Sequence, residues 1–276
     1  QWQQQRAMLT GVEDHTPLPA PAELQPWALD ARTLLNPGSA AGAIWQVALQ
    51  PPAHAHWQAG DILEMAPRHA RAHVMTVLAR NGLAPQAPVT VDGRITTLAE
   101  AAAARVLPET AEAIAAAAAT DAARWLARLP ALPHREYSIA SVPADGAVQL
   151  VIRLTALPDG RHGLGSGWLC VHATGADRIP ARVRRNTGFH RHPEHAPMLL
   201  IGNGTGIAGL RSLLREADAQ GDRGHWLVFG ERTHAHDFLY REEIEAWQAK
   251  GHLSRVDLAF SRDADGGGYV QDRLRA

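Results

Sequence analysis

The sequence contains one cysteine, few aromatic residues and no excess of either charge. Cys170 has no second cysteine with which to form an intramolecular disulfide, and this usage is typical of a reducing compartment. Lysine and arginine number 27 and aspartate and glutamate number 28, so the net charge of -1 gives no general attraction for nucleic acid or for an anionic membrane. We therefore expect no nucleic-acid partner.

Long apolar runs are also missing. No segment of the sequence reaches the roughly 18 apolar residues that a membrane-spanning helix requires, and residues 1–10 lack the apolar centre of a signal peptide. We expect a cytoplasmic location, or the cytoplasmic face of the inner membrane if a missing N-terminal part is membrane-bound. The 276 residues, of which 46% are hydrophobic and 20% charged, suffice for two globular domains.

The first two thirds of the chain are predicted to be a linker followed by a β domain. Residues 1–30 are rich in proline and glutamine, which is typical of a linker. Residues 31–190 are predicted to contain strands at 43–49, 62–65, 148–154 and 179–185. Residues of about 68–128 interrupt this pattern with alanine, the best helix former. Helices are predicted there over 74–80 and 98–128, with a break at Pro108.

The last part of the chain, residues 191–276, alternates strand and helix patterns. The predicted elements are a strand at 198–201, a helix at 210–220, a strand at 226–230, a helix at 242–250 and a strand at 256–260. This order is typical of a parallel, doubly wound sheet. The predicted fold class is therefore multi-domain, α+β and α/β: an antiparallel β-barrel with a helical insertion, followed by a partial doubly wound parallel-sheet domain.

Glycines follow the first strand of this α/β part. Gly202, Asn203, Gly204, Thr205 and Gly206 come between a buried strand and a helix. Bare backbone amides and the positive end of a helix dipole at such a place can bind a pyrophosphate. The glycine spacing differs from the usual Gly-x-Gly-x-x-Gly pattern, and a tight turn without a ligand remains an alternative.

A second candidate site lies in the β part. The Arg135 guanidinium can grip a phosphate, Tyr137 projects to the same side of a strand, and the Ser138 hydroxyl can bond a ring nitrogen. A glycine-rich turn at residues 163–167, leading into a short helix, also suits phosphate oxygens. The alternatives are a surface strand with a structural tyrosine and an ordinary flexible turn.

A third candidate site follows the last predicted strand. Ser261 and Arg262 stand at its carboxyl end, where parallel sheets bind ligands. This pair suits a 2′-phosphate and favours NADPH, whereas an acidic residue there would favour NADH. A solvated loop arginine is the alternative.

These motifs occur in order, and together the chain resembles the diflavin reductases. That family includes NADPH–haemoprotein (cytochrome) reductase and the flavoprotein alpha subunit of sulfite reductase, and is built on a ferredoxin–NADP reductase core. The resemblance covers residues of about 32 to 274. It is carried by Arg135-Glu136-Tyr137-Ser138-Ile139-Ala140-Ser141, the turn at 163–169, the glycines at 202–208, Phe229-Gly230-Glu231-Arg232, and Ala259-Phe260-Ser261-Arg262-Asp263 with Tyr269-Val270-Gln271-Asp272.

The resemblance implies an FAD site in the β-barrel. Arg135 would hold the FAD pyrophosphate, Tyr137 would stack on the isoalloxazine ring, and Ser138 would be the catalytic residue near N5, where hydride arrives. The remaining residues implied to bind FAD are Glu136 in the same strand, Val151, Ile152 and Arg153 along a second strand, and Gly163, Leu164, Gly165 and Ser166 at the phosphate.

The resemblance also implies an NADP-binding domain over residues 191–276, incomplete at its C-terminus. Gly202, Asn203, Gly204, Thr205 and Gly206 would bind the NADPH pyrophosphate. The residues implied at the adenosine end are Arg232, Ser261, Arg262, Tyr269 and Gln271, and Arg32 would also reach NADP. The helical insertion would be a connecting domain that orients a separate FMN domain.

The implied function is the passage of electrons from NADPH through FAD to a flavodoxin-like FMN domain, in the same polypeptide or a separate one. A haemoprotein or sulfite reductase partner would receive them next. A membrane-tethered reductase of the same family and a non-catalytic flavin- or nucleotide-binding fragment are alternatives. The residues 265–268 lack a basic residue common in the 2′-phosphate loop, so NADPH preference over NADH is left open. No metal site is expected, although His190, His192 and His195 are grouped.

Overall fold

The computed structural model describes residues 23–110, 113–114, 121–192, 194–263 and 267–275. Residues 1–22 of the predicted linker therefore lie outside the described part. The described chain forms a curled six-stranded antiparallel sheet, a two-stranded hairpin and a three-stranded parallel sheet. The expected combination of a β-barrel with an insertion and an α/β domain is confirmed.

The antiparallel sheet curls until its two edges meet. Its strands are β1 Gln25–Leu34, β2 Ile44–Gln50, β3 Ile62–Met65, β6 Arg135–Ser138, β7 Val148–Arg153 and β8 Arg178–Arg184, in the order β6-β3-β8-β1-β2-β7. The edge strands are joined just past β6, where Ile139 bridges Leu150 and the Ala140 amide donates to the Gln149 carbonyl at 2.7 Å. The apolar faces of the strands enclose a core that includes Leu49, Leu63, Ile139, Leu150 and Leu169.

The predicted linker is wrong for residues 25–30, because these belong to β1. This strand pairs with β2 and with β8. Trp27 is 1% exposed, and its indole Nε1 donates to the Ala181 carbonyl at 3.0 Å. The proline-rich composition concealed a strand whose single buried tryptophan anchors it in the barrel.

The insertion contains a hairpin that helical periodicity did not predict. Its elements are α1 Arg71–Arg80, β4 Pro88–Val91, β5 Arg94–Thr97, α2 Leu98–Ala102 and α3 Ala122–Ala127. Asp92 and Gly93 join the two strands with φ angles of 49° and 76°, which is the conformation of a tight two-residue hairpin turn. An Asp-Gly pair between strand-like residues was the available signal.

The predicted helix over 98–128 is too long. The first helix ends at Ala102, residues 113–114 are helical beyond the predicted break at Pro108, and α3 begins at Ala122, where the Asp121 side chain accepts from the Arg124 amide at 2.8 Å. Between them Arg105 bridges Ala131 in an extended conformation, and residues 111–112 and 115–120 lie outside the described part. Alanine content predicted helix, but pairing with residues near the start of β6 ends it.

The parallel sheet follows the predicted alternation. Its elements are β9 Leu199–Asn203, α5 Ile207–Ala219, β10 His225–Glu231, α6 His234–Asp237, α7 Arg241–Ala249, β11 Leu253–Phe260 and α8 Val270–Arg275. The strand order is β11-β10-β9. A short helix of the preceding part, α4 Leu164–Gly167, continues into a π-helical turn, Trp168–His172. Both β10–β9 and β10–β11 are parallel. The carboxyl ends of the three strands therefore lie at one edge.

A buried arginine joins the parallel sheet to the barrel. Arg211 of α5 donates to the Ala140 carbonyl at 2.7 Å and to the Gln149 Oε1 at 2.8 Å, both in the barrel. Its Nε donates to the Glu243 carboxylate of α7 at 2.5 Å. The guanidinium also stacks on the Tyr240 ring, 4.4 Å from its centroid. Arg211 thus fixes α5 between the two domains.

Two further contacts cross this interface. The Tyr240 hydroxyl donates to the Gln46 Oε1 of β2 at 2.9 Å. The Asn36 amide nitrogen donates to the Asp237 Oδ1 at 3.0 Å, and the same asparagine accepts from the Ile44 amide. The segment that joins α6 to α7 is therefore bonded to the barrel in addition to α5.

Across the described ranges, no helix has both the length and the apolar character that spanning a bilayer would take.

Two buried histidines pack together at the start of the parallel sheet. The rings of His225 and His252 meet edge to face with centroids 4.8 Å apart, and both residues are fully buried. The His225 Nδ1 accepts from the Met198 amide at 3.1 Å. Burial, with the nearby His252 and Arg191, lowers the pKa of His225 to about 4, so the folded protein holds this ring neutral.

We predict that this ring makes the fold sensitive to acid. Because the folded pKa lies below the ordinary histidine value of about 6.5, the unfolded chain binds the additional proton between these two values. The free energy of unfolding should therefore fall as the pH drops from about 6.5 towards about 4. Urea unfolding at a series of pH values measures this, and His225→Asn, whose amide oxygen can replace Nδ1 as acceptor, should flatten the dependence. An equal flattening in the exposed His56→Asn would contradict this origin.

Candidate functional site

Two clefts open side by side where the barrel meets the carboxyl edge of the parallel sheet. The barrel cleft, of about 430 Å³, is lined by Arg135, Glu136, Tyr137, Val151, Ile152, Arg153, Thr155, Gly163, Leu164, Gly165, Ser166 and Thr205. The sheet cleft, of about 400 Å³, is lined by Arg153, Asn203, Gly204, Thr205, Gly230, Glu231, Arg232, Ala259, Ser261, Gly268, Tyr269, Val270 and Gln271. Arg153 and Thr205 line both, so the two clefts adjoin.

Strand β6 provides one wall of the barrel cleft. Its register against β3 pairs Tyr137 with Leu63 and Arg135 with Met65, and the alternation of side chains puts Arg135 and Tyr137 on one side of the strand. The Arg135 Nη1 donates to the carbonyls of Pro133 and His134, each at 3.2 Å, which orients the guanidinium. Burial raises the pKa of Tyr137 to about 12, so its phenol is neutral at physiological pH.

The glycine turn before and within α4 packs directly on these two side chains. A Cβ at Gly165 would lie 2.5 Å from the Tyr137 hydroxyl oxygen and 2.8 Å from the Arg135 Cγ. The turn is fixed by Ser166, whose Oγ accepts from the Thr155 amide at 3.1 Å. Glycine is therefore required at position 165 for Tyr137 and Arg135 to lie against the turn.

The sheet cleft begins where β9 ends. Gly204 has a φ of +57° and starts a 3-10 turn, Gly204–Gly206, which leads into α5. The Asn203 side chain packs closely against Gly230 of β10, where a Cβ would lie only 2.3 Å from the Asn203 Oδ1. The backbone amides at the start of this 13-residue helix form a cradle suited to an anion. The chain thus builds the expected glycine cradle at a strand end.

The far end of the sheet cleft is formed by the residues after β10 and β11. The Ser261 amide donates to the Glu231 carbonyl at 3.0 Å, and the Arg262 amide donates to the Arg232 carbonyl at 2.7 Å. These bonds hold the two strand ends together, and Ser261, Arg232 and the 66% exposed Tyr269 all line the cleft. A cationic and a hydroxyl side chain therefore lie where an exposed phosphate could bind.

An ion pair forms the wall between the clefts. The Arg153 Nη2 contacts the Glu231 Oε1, and the Arg153 Nη1 donates to the Ala41 carbonyl at 3.2 Å. The other Glu231 oxygen accepts from the Arg232 amide at 2.8 Å. The Glu231 side chain is only 2% exposed. Sequence reasoning did not select Glu231 as a site residue, although its position at the carboxyl end of β10 was a signal.

Arg32 lies outside the lining of the sheet cleft, so its expected contact with NADP stays a prediction. Its Nε donates to the Leu169 carbonyl and its Nη2 to the Ala173 carbonyl, each at 2.6 Å. Because β1 runs beside the π-helical turn, Arg32 caps the last carbonyls of that turn. Burial lowers the pKa of this guanidinium.

Four more predicted residues lie outside both linings as the structure describes them. Ser138 is exposed and pairs with Ile62 in the sheet, so its role near a flavin stays a prediction. Arg262 is exposed and contributes its backbone. Gly202 lies against α5, where a Cβ would meet the Leu210 Cδ1 at 2.7 Å, and Gly206 faces open space.

The three grouped histidines are engaged separately. The His190 Nε2 lies 2.6 Å from the Asp61 Oδ1, and the His195 Nδ1 lies 2.9 Å from the Asp222 Oδ2. His192 lies 3.8 Å from the Glu194 carboxylate. In the ranges that the structure covers, no three histidine, cysteine or acidic side chains converge in a way that could hold a metal ion.

We predict that Gly165→Ala disrupts the barrel cleft. The added methyl group would meet the Tyr137 hydroxyl at 2.5 Å, so the tyrosine or the turn must move, at a cost of about 1–3 kcal/mol. Thermal unfolding should show this loss of stability as a lower midpoint temperature. Gly175→Ala is the matched control, because nothing lies within 4 Å of a Cβ there. An equal effect of the two substitutions would contradict the required contact.

Comparison with known proteins identifies similarity in the second half of the chain. Residues 200–276 match the family model described as an oxidoreductase NAD-binding domain. This range begins in β9 and includes the glycine cradle and the far end of the sheet cleft. The match covers the part of the chain that forms the parallel sheet from Leu200 onward.

The chain is also similar to sulfite reductase [NADPH] flavoprotein alpha-components. It is 38% identical over 116 residues to that of Vibrio vulnificus, which covers 41% of this chain and 19% of the relative. It is 39% identical over 118 residues to that of Neisseria meningitidis (42% and 19%), and 39% identical over 101 residues to that of Bacillus subtilis (36% and 16%). The matched segments thus span about a fifth of the length of these relatives. Together with the two-domain fold, they confirm the resemblance of this chain to the diflavin reductases and their ferredoxin–NADP reductase-like module.

Proposed function

We propose that this chain is an NADPH-dependent flavoprotein reductase module that binds FAD in the barrel cleft and NADPH in the sheet cleft. The observation that carries this proposal is the junction of the two clefts at Arg153 and Thr205. Hydride transfer requires the donor and acceptor rings to meet within contact distance. Two adjoining clefts on two fixed domains provide that proximity.

The residues of the barrel cleft fit a flavin dinucleotide. The absence of a side chain at Gly165 lets Tyr137 and Arg135 pack against the turn, and a glycine-rich turn is what a pyrophosphate needs for close approach to the backbone. Arg135 would bind the pyrophosphate, and the neutral Tyr137 ring would lie along the flavin. FAD, when bound, would accept hydride and release electrons singly. Arg135, Tyr137 and the turn would hold it and exclude water from one face.

The residues of the sheet cleft fit a pyridine dinucleotide. The amides of Gly204 and Thr205 at the start of α5 would bind the pyrophosphate. Arg232 and Ser261 would bind a 2′-phosphate, and Tyr269 and Gln271 would lie along the adenosine. The match of residues 200–276 to an oxidoreductase NAD-binding domain supports this assignment.

The onward path of the electrons is the finer part of the proposal. The relatives are flavoprotein components of sulfite reductase, and the resemblance supports a flavodoxin-like FMN domain as the next carrier. We propose that the insertion, from α1 to α3, orients that domain, that the final acceptor is a haemoprotein or sulfite reductase partner, and that the module works in the cytoplasm.

We predict that the purified chain takes up FAD and shows a flavin absorption spectrum. Arg135→Ala and Tyr137→Ala should each weaken FAD binding by about tenfold or more, because each removes a contact worth about 1.4 kcal/mol or more. Fluorescence titration with FAD measures the dissociation constants. Arg124→Ala, which changes a 76% exposed arginine of the insertion, should bind as the wild type does. A folded wild-type chain that retains no flavin would rule out the FAD assignment.

We predict further that Ser261→Asp shifts nucleotide preference away from NADP+. The new carboxylate would repel a 2′-phosphate beside Arg232, so NADP+ should bind about tenfold or more weakly while NAD+ changes little. Calorimetric titration measures the dissociation constants of NADP+ and NAD+ for the wild type and the variant. Gln248→Glu adds the same charge on the exposed side of α7 and should leave both affinities unchanged. Equal weakening of NADP+ and NAD+ by Ser261→Asp would place the 2′-phosphate elsewhere.

A further inference from the structure

Arg153 and Glu231 come from different domains and meet at the wall that both clefts share. Arg153 ends β7 of the barrel and Glu231 ends β10 of the parallel sheet. Each is also held from a second side, Arg153 by the Ala41 carbonyl and Glu231 by the Arg232 amide. The position of the guanidinium is therefore set by both domains together.

The Glu231 carboxylate lies close to the glycine cradle. A Cβ built on Gly204 would be 3.1 Å from the Glu231 Oε1 and 3.5 Å from the Arg153 Nη2. An anion bound by the amides of Gly204 and Thr205 would consequently feel both charges. A buried carboxylate at this distance repels an anion strongly unless a cation cancels it.

We propose that Glu231 is a positioning residue for Arg153 and restrains the affinity of the sheet cleft for pyrophosphate. It fixes the guanidinium at the shared wall and cancels most of its charge there. This inference rests on the proposed function, which assigns the cradle at Gly204 and Thr205 to a pyrophosphate. It adds that the affinity of this cradle for pyrophosphate depends on how far the Glu231 charge cancels the Arg153 charge.

The charges predict changes of opposite sign for the two partners. Glu231→Gln keeps the shape and an acceptor oxygen but leaves the arginine charge uncancelled, so pyrophosphate should bind more tightly. Arg153→Met leaves a buried carboxylate uncancelled, so pyrophosphate should bind more weakly. A pair that served only to hold the two domains together would weaken binding when either partner is removed.

The experiment measures dissociation constants of inorganic pyrophosphate and of NADP+ by calorimetry at low and high salt. Relative to the wild type, Glu231→Gln should bind about threefold to tenfold more tightly and with a steeper salt dependence, and Arg153→Met at least about tenfold more weakly. The double variant Arg153→Met/Glu231→Gln should return to within about threefold of the wild type. Arg153→Gln, which removes the charge but keeps a polar side chain, should weaken binding in the same direction and serves if Arg153→Met does not fold.

Glu100→Gln is the matched control, because Glu100 pairs with Arg68 on the insertion at 2.9 Å and loses the same charge away from both clefts. It should change neither dissociation constant. Circular dichroism of every variant verifies folding, and the steeper salt dependence of Glu231→Gln is a readout that a purely structural role would not produce.

Weaker pyrophosphate binding by Glu231→Gln, or a double variant no better than Arg153→Met, would overturn the assignment of Glu231. If those failures occur while NADP+ binds the wild type, the proposed function stands without this inference. If the sign pattern holds for pyrophosphate but the wild type does not bind NADP+, the nucleotide assignment fails and that of Glu231 stands. A wild-type chain that binds neither ligand overturns both.

Discussion

The buried guanidinium of Arg211 is the contact on which the arrangement of the two domains depends. A cation removed from water is stable only when several acceptors surround it, and here those acceptors come from both domains: Ala140 and Gln149 from the barrel and Glu243 from the sheet side. Because α5 carries Arg211 in its first turns and the glycine cradle just before them, the contact that joins the domains also places the cradle against the barrel. The contacts of Arg211 thus determine both how the domains pack and where the sheet cleft lies against the barrel.

Glycine works in two different ways around this junction. At Gly165 its role is close packing, because the phenol of Tyr137 occupies the space where a side chain would begin. At Gly204 its role is conformational, since a φ of +57° turns the chain from the end of β9 into the helix. Both glycines line a cleft. The two glycine turns therefore form for different local reasons, and the packing of α5 on the barrel brings them near each other.

The sequence predicted the parallel sheet well because its strands are short apolar runs between clear helices, as at residues 226–230, and because chain order fixes which strand ends meet. It failed where a long-range contact decides the structure. Trp27 draws a proline-rich segment into the barrel, and Arg105 pairs with Ala131 instead of continuing a helix. Arg32 was assigned to NADP by resemblance alone, and the local pattern did not indicate its bonds to the Leu169 and Ala173 carbonyls. Glu231 stands at the end of a predicted strand, which was a signal, but no local pattern reveals that its partner lies 78 residues away in the barrel.

The Arg153–Glu231 pair shows why adjacency of two sites in one chain has an electrostatic consequence. If both clefts receive phosphates, as proposed, negative charge concentrates at their common wall, and a cation there would attract anions into either one. A carboxylate from the second domain lowers that attraction and fixes the direction of the guanidinium, since Glu231 is itself held by the Arg232 amide. Because the pair forms only when barrel and sheet are in contact, the charge at the wall depends on the same domain packing that Arg211 maintains. The electrostatics of the glycine cradle are in this way a property of the interface and not of either domain alone.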